Sequence, residues 1–150
     1  MKIVTDFVDH LECPTVDGII FPDGGIQTFD IKVNWNTPKS FKIKIASRTT
    51  IQILENEGNL HWNNCAVLAT KVSFEYSIEV IAGEGNFGSD GFIGVLDLET
   101  RKLIWLAFFT CSNPFDKITI IGDEIHAKST VNCIWRFRLK DPLTPFVECL

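Results

Sequence analysis

The residues of this chain whose types and spacing invite a chemical reading are the run Gly83-Glu84-Gly85-Asn86-Phe87-Gly88, three histidines and five cysteines. The run has the G-x-G-x-x-G spacing in which backbone amides, unobstructed by side chains, close on a phosphate. That use needs a following helix whose amino end receives the anion. Here an apolar stretch, Phe92 to Leu98, follows and reads as a strand. Glu84 and Asp90 would also repel phosphate. The run therefore reads as a β-connection in which glycine supplies positive φ or a bulge. His10, His61 and His126, with Lys128, would supply the acid, base and cation of phosphodiester transfer if they converged in space. Their spacing shows no ligand or dyad pattern. No G-x-S-x-G elbow supports a nucleophilic serine. No catalytic residue, metal ligand or cofactor is assigned.

Cys13, Cys65, Cys111, Cys133 and Cys149 are widely spaced, with no C-x-x-C pair to suggest zinc or a redox dithiol. They are expected to be reduced thiols, mostly packed in the core. Asp6, Asp9 and Glu12 interrupt the first residues, so no signal-peptide core is read there. Nowhere do about 18 apolar residues run together, as a membrane helix requires. The expectation is a soluble cytoplasmic protein with no membrane contact.

Net charge is −5, a poor match to nucleic acid, whose phosphates call for clustered Lys and Arg. The charge is uneven. Residues 1–50 balance and residues 101–150 carry +2, whereas residues 51–100 set Lys71 against eight carboxylates, a net of −7. Glu75 and Glu79 fall on one presumed solvent face, next in sequence to the loop bearing Glu84 and Asp90. A contiguous acidic surface built from Glu75, Glu79, Glu84 and Asp90, joined by Glu55 and Glu57 and anchored by Phe87, would steer and select a basic protein partner.

The elements that must position these residues read as strands, because apolar residues alternate with polar ones from end to end. Phe29, Ile31 and Val33 oppose Asp30 and Lys32. Phe41, Ile43 and Ile45 oppose Lys42 and Lys44, with Ile51 and Ile53 as a second hairpin arm beyond Ser47-Arg48. Val72, Phe74, Tyr76, Ile78 and Val80 form the most regular run. The unbroken apolar run Leu103 to Phe109 predicts a central strand covered on both faces. Strands over residues 117–121, 124–129 and 133–139 follow, with Pro142 and Pro145 ending regular pairing. The one place suited to a helix is residues 60–70, where Asn63 or Asn64 could cap. The fold class expected is all-β: a single domain over 1–150, an antiparallel sandwich or partly open barrel of about nine to eleven short strands with at most one short helix.

Three resemblances attach to these residues. The glycine run, with Phe87 before its third glycine, is similar to the glycine loop of protein kinases, but no Lys lies on the following strand and no His-Arg-Asp or Asp-Phe-Gly occurs. Gly91-Phe92-Ile93-Gly94-Val95-Leu96-Asp97-Leu98-Glu99-Thr100 to Trp105, with Ile134-Trp135-Arg136-Phe137, looks like one blade of a quinoprotein-type propeller. One blade cannot close a propeller, so this implies a four-stranded meander. In size, acidity and architecture the whole chain resembles bacterial toxin-immunity proteins of the contact-dependent growth inhibition type. That resemblance implies a monomer that binds a cognate basic toxin one-to-one, an RNase or DNase, and masks its cleft. The alternative is a stand-alone carbohydrate-binding module or small hydrolase, with Trp62, Trp105 or Trp135 stacking on a sugar.

Overall fold

The computed structural model describes residues 5–150. It is all-β and antiparallel, with α1 (Thr5–His10), β1 (Glu12–Pro14), β2 (Gly18–Ile20), β3 (Gly25–Asn34), β4 (Ser40–Thr50), α2 (Ile51–Asn56), β5 (Trp62–Asn64) and β6 (Ala66–Ser73) in the first half. Then come β7 (Ile78–Glu84), β8 (Gly91–Asp97), β9 (Leu103–Phe109), β10 (Phe115–Ile121), β11 (Glu124–Ser129), β12 (Cys133–Arg138) and β13 (Asp141–Cys149). Among the described residues the thirteen strands exceed the expected nine to eleven because three of them span only three residues. A seven-stranded sheet runs β4-β3-β2-β9-β8-β7-β6, and β10 to β13 form a separate four-stranded meander.

Alternation within the central strands explains how the layers stack. In β8, Ile93 and Val95 share a core with Trp135, Phe137 and Ile125 of the meander, while Phe92 and Leu96 share a second core with Phe7, Cys13, Ile51 and Cys65. In β9, Trp105, Ala107 and Phe109 point to the first core and Leu106 and Phe108 to the second. The seven-stranded sheet is thus the middle layer, covered by the meander on one face and by β1, β5 and the two helices on the other. This is why β9 reads as apolar at nearly every position. Each phenylalanine so buried contributes roughly 1.5–3 kcal/mol. Gly94 belongs to this packing, since a Cβ there would lie 2.8 Å from the Phe7 ring.

Several local expectations change. Ile51 and Ile53 are not a strand: β4 continues through Ser47-Arg48 to Thr50, and Thr50 then caps α2 by accepting a hydrogen bond from the Ile53 amide at 3.0 Å. Ile51 is buried and Leu54, one turn on, packs beside the same core. Helical pattern wins here because the three-residue spacing has a core to meet. Thr50→Ala should lower stability by about 1 kcal/mol, read as a shift in the urea midpoint; an unchanged midpoint would mean that α2 does not depend on this cap. Residues 60–70 are not helical but supply β5 and β6, because β6 finds a ladder partner in β7. The expected run over 72–80 breaks at a turn over 74–77, where Ser77 takes φ 52° and the Ser73 hydroxyl accepts from the Tyr76 amide. The blade-like segment is split, with β8 and β9 in the large sheet and β11 and β12 in the small one. Pro142 and Pro145 lie within β13 instead of ending it. An edge strand tolerates their missing amides, and the ladder slips between Arg136 and Arg138 to absorb them.

The cysteines also depart from the expected set of reduced thiols. Cys133 and Cys149 face each other across β12 and β13 and are disulfide-bonded. Cys13, Cys65 and Cys111 are free. No helix among the described residues is long and apolar enough to cross a membrane.

Candidate functional site

The acidic residues of the middle third do not form one surface. Glu75 is exposed in the turn between β6 and β7. Glu79, early in β7, is paired with Arg101 of the β8–β9 turn. The two turns are tied by the Leu98 amide donating to the Ser77 carbonyl at 2.9 Å. In the same corner Asp97 accepts from the Glu99 and Thr100 amides at 2.9 and 3.0 Å, which holds its carboxyl below the usual range. Glu84 and Phe87 lie at the opposite end of β7, five strand steps from Glu79 and so roughly 17 Å away. Glu55 and Glu57 are exposed on and after α2, which follows β4 at the far edge of the large sheet. The contiguous surface expected from sequence is therefore divided in three by the length of β7 and the width of the sheet.

Asp90 has left the surface altogether. It is fully buried and organises the glycine loop from beneath. Its Oδ1 accepts from the Gly85 amide at 3.0 Å, and its Oδ2 accepts from Asn63 Nδ2 at 3.0 Å and the Phe87 amide at 3.4 Å. Asn63, itself buried, accepts from the Asn86 amide at 2.8 Å. The amides of Gly85, Asn86 and Phe87 that a phosphate would need are thus already bonded. Gly85 is glycine because a Cβ would meet Asp90 Oδ2 at 2.4 Å. The loop joins strand to strand, as its context predicts, and its glycines serve a carboxylate from the same chain.

The histidines do not converge. His126 lies on the outer face of β11, where its Nε2 is 2.9 Å from Glu124 Oε1 and holds the Glu124 carboxyl below its usual range. His10 and His61 flank β1 and β5, in the layer on the other side of the central sheet. No group of His, Cys, Asp and Glu among the described residues could hold a metal. Trp105 and Trp135 are buried, which removes two of the three tryptophans that would stack on a sugar. Burial, with Asp17 nearby, pushes the Cys111 thiol up to about 11, away from nucleophilic use.

What remains is β6, a feature the sequence does not flag. It has a ladder partner on one side only, with β10 of the meander packed close to it but not laddered, and Val67, Leu68 and Val72 are all exposed. Natural edge strands usually carry charges or prolines that discourage pairing; β6 has one charge, Lys71, and no proline. Its two ends meet the two nearer acidic spots. Ala66 pairs with Glu84, beside Phe87 at 69% exposure, and beyond Ser73 come Phe74, at 86%, and Glu75. Beside the Phe74 turn, between the open ends of the two sheets, a mainly apolar cleft of about 370 Å³ is lined by Tyr76, Ile78, Ile104, Trp105, Leu139 and Pro142, among others. Sequence alternation misplaces Phe74 in the core, and no glycine or proline marks its turn. No family model, no curated protein and no solved structure matches this chain, so its surface is read from its own geometry.

Proposed function

We propose that this chain is a binding protein that captures a basic protein partner along β6 and, in the manner of the immunity proteins it resembles, neutralises a cognate toxin by one-to-one association. The observation that carries the reading is the exposed apolar strand β6, bracketed by Phe87 and Glu84 at one end and Phe74 and Glu75 at the other. β10 lies close beside β6, so the partner packs on the exposed side chains of Val67, Leu68 and Val72 and adds main-chain hydrogen bonds only where the edge stays open. Exposed aromatic side chains supply anchors, and the carboxylates raise the rate at which a cationic partner arrives. Glu79 is held by Arg101 and contributes through that pair. Asp90 acts from inside, by shaping the loop that presents Phe87. Glu55 and Glu57 face a different side and serve long-range attraction.

The test is growth of cells that produce, one at a time, candidate basic toxin domains drawn from the genes next to this chain's own, with and without the chain itself. Protection by the wild type, its loss in Leu68→Lys with Phe74→Ala, and a slower, less salt-sensitive association of purified Glu75→Lys with Glu84→Lys, whose attractive steering is gone, are expected. Failure of the wild type to protect, with no complex between the purified proteins, would overturn the proposal. Protection undiminished by the β6 variants would move the interface elsewhere.

A further inference from the structure

Cys13 and Cys65 present a second sulfur pair, unrelated to the β6 surface. Cys13 lies in β1 opposite Asn63 of β5, and Cys65 is two residues beyond that partner, on the same side of the ladder. The ladder continues past β5, since the Cys65 amide donates to the Leu11 carbonyl at 2.7 Å. Leu11 takes φ 53°, which bends the chain as it enters β1. The result is an Sγ–Sγ distance of 3.0 Å, in a layer where Cys13 is fully buried and Cys65 is 9% exposed. Packed carbons rest about 3.5–4.0 Å apart and sulfur is the larger atom, so these two are closer than packing alone would set them. A further approach of about 1 Å reaches the bonded distance.

We propose that Cys13 and Cys65 form a disulfide, so that the mature chain carries two cross-links and a single thiol, Cys111. The bond ties β1 to the segment leading into β6 and closes a loop 52 residues apart in sequence, a length at which cross-linking restricts the unfolded chain substantially. The oxidant is another disulfide, carried by a small molecule or an oxidoreductase. Cys65, the more accessible of the two, loses its proton and attacks one external sulfur, expelling the other as a thiolate. Cys13 then loses its proton and attacks the Cys65 sulfur, expelling the second thiolate. Two protein thiols are oxidised, and one external disulfide is reduced to two thiols. Burial, then Cys65 and Asp90, hold the Cys13 thiol well above its usual pKa. The second step is accordingly slow in the folded protein, and the bond closes during folding. Two such bonds suit an oxidising compartment, in contrast to the cytoplasm expected from sequence.

The full chain is reduced and unfolded, refolded in a mixture of glutathione and its disulfide, and its thiols are then counted with Ellman's reagent in denaturant. One thiol per chain, and a Cys13–Cys65 peptide in a non-reduced digest, are the expected results. Cys133→Ser with Cys149→Ser should still show one thiol, and Cys65→Ser should show two. Three thiols in the refolded wild type, or a cross-link between Cys111 and either partner, would overturn the proposal.

Discussion

Replacing Trp135 by alanine should lower the unfolding free energy by about 3–5 kcal/mol, the cost of emptying a large aromatic site that cannot fully collapse. Trp135 is fully buried on β12, and its ring sits 4.5 Å from that of Phe109, 5.2 Å from Phe41 and 5.8 Å from Phe115. Those rings come from β9 and β4 in the large sheet and from β10 in the small one. The indole therefore joins the two sheets, and its loss removes contacts on several sides at once. Trp135→Phe should cost much less. It keeps part of the volume and deletes an indole N–H that has no hydrogen-bond partner among the described residues, a group expensive to bury unpaired. Trp35, half exposed and touching Phe41 edge-on, is the control, with an expected loss under about 1 kcal/mol on truncation. Urea unfolding followed by circular dichroism reads all three. A Trp135→Ala loss as small as the control's would mean that the two sheets are not held through this cluster.

Asp90→Ala should be the other severe substitution, lowering stability by about 3 kcal/mol or more. The carboxylate accepts from the Gly85 and Phe87 amides and from Asn63 Nδ2. Truncation leaves those donors without a partner, the Asn63 amide fully buried and the Gly85 and Phe87 amides partly so, and each unsatisfied buried group costs about 1–3 kcal/mol. Asp90→Asn keeps the shape and one acceptor oxygen and should fall between. Amide hydrogen exchange at Gly85 and Phe87 should accelerate in the alanine variant more than exchange in β8, because the loop opens before the sheet does. Glu75→Ala, at an exposed turn position, should leave stability within about 0.5 kcal/mol. Equal losses for Asp90→Ala and Glu75→Ala would return Asp90 to the surface and remove the support proposed for Phe87. The same experiment separates two meanings of acidity in residues 51–100: a carboxylate that holds the fold and one that faces a partner.

The candidate surface shows where reading the chain succeeds and where it stops. Glu75, Glu84 and Phe87 are identifiable from charge and residue type, but only Phe87 is where strand boundaries place it, in the loop, since Glu75 lies in a turn and Glu84 closes β7. Phe74 is not, because a turn of Phe74-Glu75-Tyr76-Ser77 keeps the two-residue rhythm of the strands beside it and contains no glycine, proline, asparagine or aspartate, with Ser77 as its one turn-favouring residue. Nor is the exposure of β6: Ala66-Val67-Leu68-Ala69 is as suited to a buried helix as to an edge strand, and only the ladder to β7 selects between them.

By itself the sequence determines that the chain is β throughout, that Leu103 to Phe109 lies at the centre, and that the glycine run is a strand connection. Each rests on neighbours a few residues apart, through alternation, unbroken apolarity or the lack of a following helix. The tertiary structure alone decides that β8 and β9 join a different sheet from β11 and β12, that Asp90 turns inward to Asn63 while Glu84 stays near the surface, and that Cys133 meets Cys149. These are pairings across tens of residues. A strand's alternation is the same whichever partner it takes, and a carboxylate's letter is the same whether amides or water surround it.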